Sequence, residues 1–134
     1  MTQFVLDASV AVASLHPTEP GHASARVRVE PLLAGRDSIV VPAIFRVEVS
    51  SALSRKGWDP LTTERFVDAF LRGAVERTIG PRAAKAIARI AMQTRLRAAD
   101  ATYVWVAART GLVLVTADQE ILARAGAHCQ ALPP

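Results

Sequence analysis

Residues 98–118 read AADATYVWVAARTGLVLVTAD, and their pattern is that of a helix, a turn, a buried strand and a closing aspartate. Asp100 opens the helix. Gly111 ends it, where a residue with positive φ commonly closes a helix. Residues 112–115, LVLV, are apolar throughout and too few for a helix, which fits a strand covered on both faces. Asp118 follows just beyond the strand's carboxyl end, the place where open α/β sheets build their sites.

Asp100 is the first residue that calls for explanation. At roughly 100° per residue, Val104, Ala107, Ala108 and Tyr103 surround it on the helix wheel, while Thr102 and Arg109 lie opposite. A carboxylate on an apolar face is costly unless something pairs with it. One answer is an N-cap bonded to first-turn N–H groups; the other is a site.

Working outward, the same features recur. Residues 3–6, QFVL, predict a first strand ended by Asp7, and residues 8–15, ASVAVASL, a helix of small apolar residues. Asp7 thus takes the strand-to-helix position that Asp118 takes later, with Ser9 as a second cap or a supporting hydroxyl. The prolines and glycine of residues 16–21, HPTEPG, mark a loop. A helix over 22–33, bent at Pro31, leads to a strand over 38–41. Pro42 then suits the first turn of a helix that Gly57 ends. Within that helix Glu48 falls inside the arc of Ile44, Ala52, Phe45 and Val49, a second acid on a buried face. Pairing with an arginine such as Arg55 is the structural alternative. Helices are further predicted over 61–76, 81–93 and 120–125, a short edge strand or loop over 77–80, and a last strand over 128–132.

These elements predict an α/β fold with a mainly parallel central sheet flanked by helices, forming one domain over residues 1–134. The hydrophobic content of 51% argues against disorder. No apolar run approaches the about 18 residues of a membrane span. The opening MTQFVLD lacks the basic and apolar regions of a signal peptide. With a single cysteine, Cys129, an internal disulfide framework is excluded. The expectation is a cytoplasmic protein with no membrane association.

The net charge is +4, and 14 of the 16 basic residues are arginine. Setting aside Asp7, Glu48, Asp100 and Asp118 leaves eight acids against 16 bases, a basic body around an acidic pocket. Such a distribution suits a polyanion held near metal ions. The best basic patch is Arg82, Lys85 and Arg89 on one helix face, continued by Arg95 and Arg97; these are the candidates for contact with the phosphates of such a polyanion. In a parallel sheet the four set-aside acids can converge on one edge. Four carboxylates in one cleft cannot all stay ionised unless cations join them. An all-oxygen set without His or Cys selects Mg²⁺ or Mn²⁺ over Zn²⁺. The implied chemistry is metal-assisted phosphodiester hydrolysis.

FVLDASV, PAIFRVEVSSAL, LRAADATYVWVAARTG and LVLVTAD, in that order, resemble a PIN-domain ribonuclease, and within that family the VapC toxins of type II toxin–antitoxin pairs. The resemblance runs over essentially the whole chain. It maps the family's acids onto Asp7, Glu48, Asp100 and Asp118, and its nearby hydroxyl onto Thr116. It implies a Mg²⁺-dependent endoribonuclease, a homodimer, and a VapB-like antitoxin whose C-terminal segment occupies the active-site groove. Asp7, Asp100 and Asp118 are then metal ligands, Glu48 a ligand or the group that orients water, and Ser9 and Thr116 supports for a carboxylate or water.

Other classes fit less well. Phosphatases with an aspartate nucleophile after the first strand usually carry another acid two residues on, where this chain has Ser9. A receiver-type phosphoacceptor needs paired acids there and a late lysine, but the only lysines are Lys56 and Lys85. A non-catalytic RNA- or partner-binding module accounts for the arginines and leaves the buried acids unexplained.

Overall fold

A computed structural model describes residues 1–134. The elements run β1 (Gln3–Leu6), α1 (Ala8–Leu15), α2 (His22–Leu33), β2 (Ser38–Pro42), α3 (Ile44–Arg55), α4 (Pro60–Leu71), β3 (Val75–Arg77), α5 (Pro81–Thr94), α6 (Ala98–Thr110), β4 (Leu114–Val115), α7 (Gln119–Arg124) and β5 (Ala131–Leu132). The five strands form one sheet in the order β3-β2-β1-β4-β5, parallel throughout. This is the predicted α/β architecture.

β1 lies at the centre because it is apolar on both faces: Phe4, Val5 and Leu6 are all buried. Its register pairs Phe4 with Ile39 on one side and Leu6 with Val115 on the other. The chain leaves β1 for β2 on one side and returns much later to β4 on the other. That change of direction opens a crevice at the strands' carboxyl ends, which is where Asp7 and Asp118 lie. α6 packs across β1, β2 and β4. It is buried almost all round, Thr102 included, which the wheel had placed on the outer side. Thr102 satisfies its hydroxyl by donating to Ala98 O at 2.8 Å.

Several boundaries differ from those expected. Pro42 ends β2 instead of opening the next helix, and α3 starts at Ile44. α4 stops at Leu71, and residues expected in its last turn form the edge strand β3. All three residues of β3 are exposed, so no apolar signal marks it. β4 contracts to Leu114 and Val115, the fully buried half of the apolar run. No helix is long and apolar enough to cross a membrane.

Candidate metal and active site

Asp7 directly follows β1 and is held on three sides. Its backbone N–H donates to Val115 O at 3.0 Å, which ties it to β4. Ser9 Oγ and Thr116 Oγ1 each donate to its Oδ2 at 2.7 Å. The same two hydroxyls accept from the backbone N–H groups of Ala117 and Asp118, at 3.2 and 3.0 Å. The first and last β–α units of the site are thereby joined through one carboxylate oxygen, and Oδ1 is left with no side-chain donor. Asp7 occupies the N-cap position of α1 but its side chain makes no capping bond. Burial raises its pKa; the hydroxyls of Thr116 and Ser9 oppose that rise, and the charge of Asp100 adds to it.

Asp118 turns its two carboxylate oxygens to different partners. Oδ1 caps α7, accepting from the N–H groups of Glu120 and Ile121 at 2.8 and 3.1 Å. Oδ2 turns the other way and accepts from Arg97 Nη2 at 3.2 Å.

Asp100 is the third residue of α6, and Arg97 is the N-cap. Asp100 is buried, at 7% exposure, and its Oδ2 accepts from Arg97 Nε at 3.1 Å. Burial pushes its carboxyl up, Arg97 pulls it down by hydrogen bond and charge, and the charge of Asp118 raises it.

Glu48 projects from α3. Its Oε1 is buried with no hydrogen-bond partner, so the expected alternative of a pair with Arg55 is absent. Its pKa is raised by burial first, then by the charges of Asp7 and Asp100. Tyr103 on α6 is its buried neighbour, and the Tyr103 hydroxyl also lacks a well-formed hydrogen bond. Burial and the adjacent Glu48 and Asp7 charges push the phenol far up, so it stays protonated. Sequence reading took Tyr103 for plain core; only its i+3 spacing from Asp100 hinted at the site.

The four acids, from four separate elements, line one groove of about 690 Å³ together with Ser9. Three of the four hold raised pKa values, and in each the largest cause is burial, ahead of mutual repulsion. The sequence had pointed to both causes, burial for Asp100 and Glu48 and repulsion for the set of four. The donor set is entirely oxygen, and the orphaned Glu48 Oε1 is the kind of buried acceptor that a hard cation satisfies. As the side chains stand, no three acids close around one point. Arg97 sits between two of them instead.

With this geometry established, comparison with known proteins is direct. The family model for the PIN domain matches residues 4–127. The chain belongs to the PIN-domain family. This PIN domain is 34% identical over 132 residues to Ribonuclease VapC3 of Mycobacterium tuberculosis, covering 97% of this chain and 92% of that one. Among solved structures it resembles PAE2754 from Pyrobaculum aerophilum, with a TM-score of 0.70, 23% identity, and 97% and 83% of the two chains covered. VapBC2 from Rickettsia felis, bound to a DNA fragment from its promoter, gives a TM-score of 0.70 at 15% identity over 99% and 98%. FitAcB from Neisseria gonorrhoeae gives 0.64 at 16% over 98% and 96%. These last three likenesses establish the shared fold.

The basic residues of this PIN domain divide in two. Arg82, Lys85 and Arg89 are exposed on α5, and Arg95 ends that helix in the left-handed region at φ 58°; none of the four lines the groove. Arg97 does, engaged with the acids. At the groove's other end lie Arg55 and Lys56, with Lys56 paired to Glu19. Both follow Glu48 by two helical turns, at i+7 and i+8, so their shared face was readable from spacing.

Proposed function

We propose that this PIN-domain protein is a metal-dependent endoribonuclease, the toxin of a toxin–antitoxin pair, that uses Mg²⁺ or Mn²⁺. The observation that carries the reading is the convergence of Asp7, Glu48, Asp100 and Asp118 on one groove with only oxygen donors. The 34% identity to a protein named Ribonuclease VapC3 supports the substrate class.

Asp7, Asp100, Asp118 and Glu48 would hold the ion or ions. A bound Mg²⁺ supplies a water of lowered pKa and stabilises charge on the phosphate. The chain's own part is positional. Ser9 and Thr116 fix the orientation of Asp7. Glu48, on the groove wall, would serve as a further ligand or orient the attacking water. Arg55 and Lys56 hold phosphates along the groove without reading bases.

The neighbouring structures VapBC2 and FitAcB support a protein partner of the antitoxin type. The groove has the chemistry for it. A guanidinium fits between Asp100 and Asp118, as Arg97 does within this chain. An antitoxin segment carrying an arginine would block the same carboxylates. The reading also takes the protein as a cytoplasmic homodimer.

The test incubates purified protein with structured RNAs in Mg²⁺ and in EDTA, alongside Asp7→Asn and Asp100→Asn. The expected result is internal cleavage in Mg²⁺ only, absent from both folded variants. Cleavage that persists in EDTA, or in either pure variant, overturns the metal-site assignment. RNA binding with no cleavage under any divalent ion would favour a non-catalytic binding module.

A further inference from the structure

Arg97 is the one cation in contact with the acid cluster. Its Nε donates to Asp100 Oδ2 at 3.1 Å and its Nη2 to Asp118 Oδ2 at 3.2 Å. The two aspartates belong to different β–α units and are 18 positions apart, so a single guanidinium spans the site. Its charge also reaches Glu48, opposing the rise in that carboxyl's pKa.

Two features make this bridge exchangeable. The Arg97 side chain is 75% exposed, and exposed ion pairs are weak because water and salt compete for both partners. Its backbone, by contrast, is fixed as the N-cap of α6, with Arg97 O accepting from Ala101 N at 2.9 Å. The guanidinium can therefore leave the acids without disturbing the helix that carries Asp100. Hard carboxylate oxygens prefer a divalent cation to a guanidinium when one is at hand.

We propose that Arg97 is a tethered counter-cation that occupies the Asp100–Asp118 gap in the metal-free protein and competes with the divalent ion for those two carboxylates. This rests on the metal reading given above and adds a threshold to it. The chain neutralises its own cluster when metal is scarce. Loading then requires displacing an arginine that remains attached to the rim of the groove.

Calorimetric Mn²⁺ titration of the full chain tests this without reference to cleavage. Arg97→Gln keeps a polar, hydrogen-bonding side chain, shorter than arginine's, and removes the charge. It should bind Mn²⁺ about fivefold more tightly than wild type, the factor to which an exposed ion pair of about 1 kcal/mol corresponds. Arg97→Lys keeps the charge but cannot bridge both aspartates, and should fall between the two. Arg89→Gln removes the same charge from α5, outside the groove, and should bind as wild type does. If Arg97→Gln binds no more tightly than wild type, or Arg89→Gln tightens binding equally, the inference fails while the metal site stands. If none of the four proteins binds Mn²⁺, both fail. Melting in EDTA gives an independent reading: Arg97→Gln should melt below wild type and gain more on adding Mn²⁺. Equal melting and equal gains also overturn the competition.

Discussion

The hydroxyl of Thr116 lies 2.7 Å from Asp7 Oδ2, although 109 positions of chain separate the two residues. Thr116 is fully buried, and its oxygen also accepts from the N–H of Asp118. One side chain therefore orients one acid and anchors the backbone of another. Thr116→Val keeps the shape and removes both bonds. It is expected to destabilise the protein by about 1–3 kcal/mol, the usual cost of leaving buried polar groups unpaired. Thr116→Ser should recover most of that loss. Urea denaturation of the three proteins checks it; a Val variant as stable as wild type would mean the network is dispensable for folding.

The raised pKa of Asp7 makes a signed statement about pH. A carboxyl whose folded-state pKa exceeds its unfolded value of 3.8 binds its proton more tightly in the folded protein. Its contribution to stability is full below about pH 4 and is lost as pH rises through the folded value. In EDTA, the stability of wild type relative to Asp7→Asn should therefore fall as pH climbs from about 4 towards neutrality. A pH series of denaturant melts measures this. A difference that instead grows with pH would mean that the Ser9 and Thr116 donors outweigh burial.

Asp118 splits its oxygens between a cap and the groove, so two substitutions should part its roles. Asp118→Asn keeps an acceptor for the N–H groups of Glu120 and Ile121, and asparagine caps helices about as well as aspartate. Its stability in EDTA should stay near wild type while Mn²⁺ binding weakens. Asp118→Ala loses the cap as well and should cost about 1 kcal/mol. Thermal melts with and without Mn²⁺ separate the two; equal destabilisation by both would mean the charge matters more than the cap.

Much of this was readable from the chain because the site acids stand at points of regular structure. Asp7 and Asp118 end apolar strand runs, and Glu48 and Asp100 interrupt apolar helix faces, so each contradicts its local pattern in a way that asks for a cause. β3 was anticipated only as an edge strand or loop over 77–80, two residues late, since its three residues are exposed and only pairing with β2 makes them a strand. Pro42 misled for a related reason. It lacks an N–H to give, yet it pairs opposite Arg77 at the end of β2, where the next bond comes from Ala43 N to Arg77 O at 2.9 Å. Arg97 looked like part of a basic patch because its i,i+3 relation to Asp100 is local, whereas its contact with Asp118 exists only in the folded chain. That Tyr103 lies beside Glu48 is invisible for the same reason: each was legible as a buried residue, and neither pattern names the other.

The central position of β1 also bears on how the protein is made. The strand that leads into Asp7 leaves the ribosome before the other four strands, and β2 is the first of its two partners to follow. Its other edge stays open until β4 has been synthesised, and Asp100 and Asp118 arrive only with that late portion. A growing chain therefore carries Asp7 and Glu48 without the other two acids and without the Thr116 hydroxyl. The complete set of four acids therefore exists only once the late β–α unit has been made and has paired with β1.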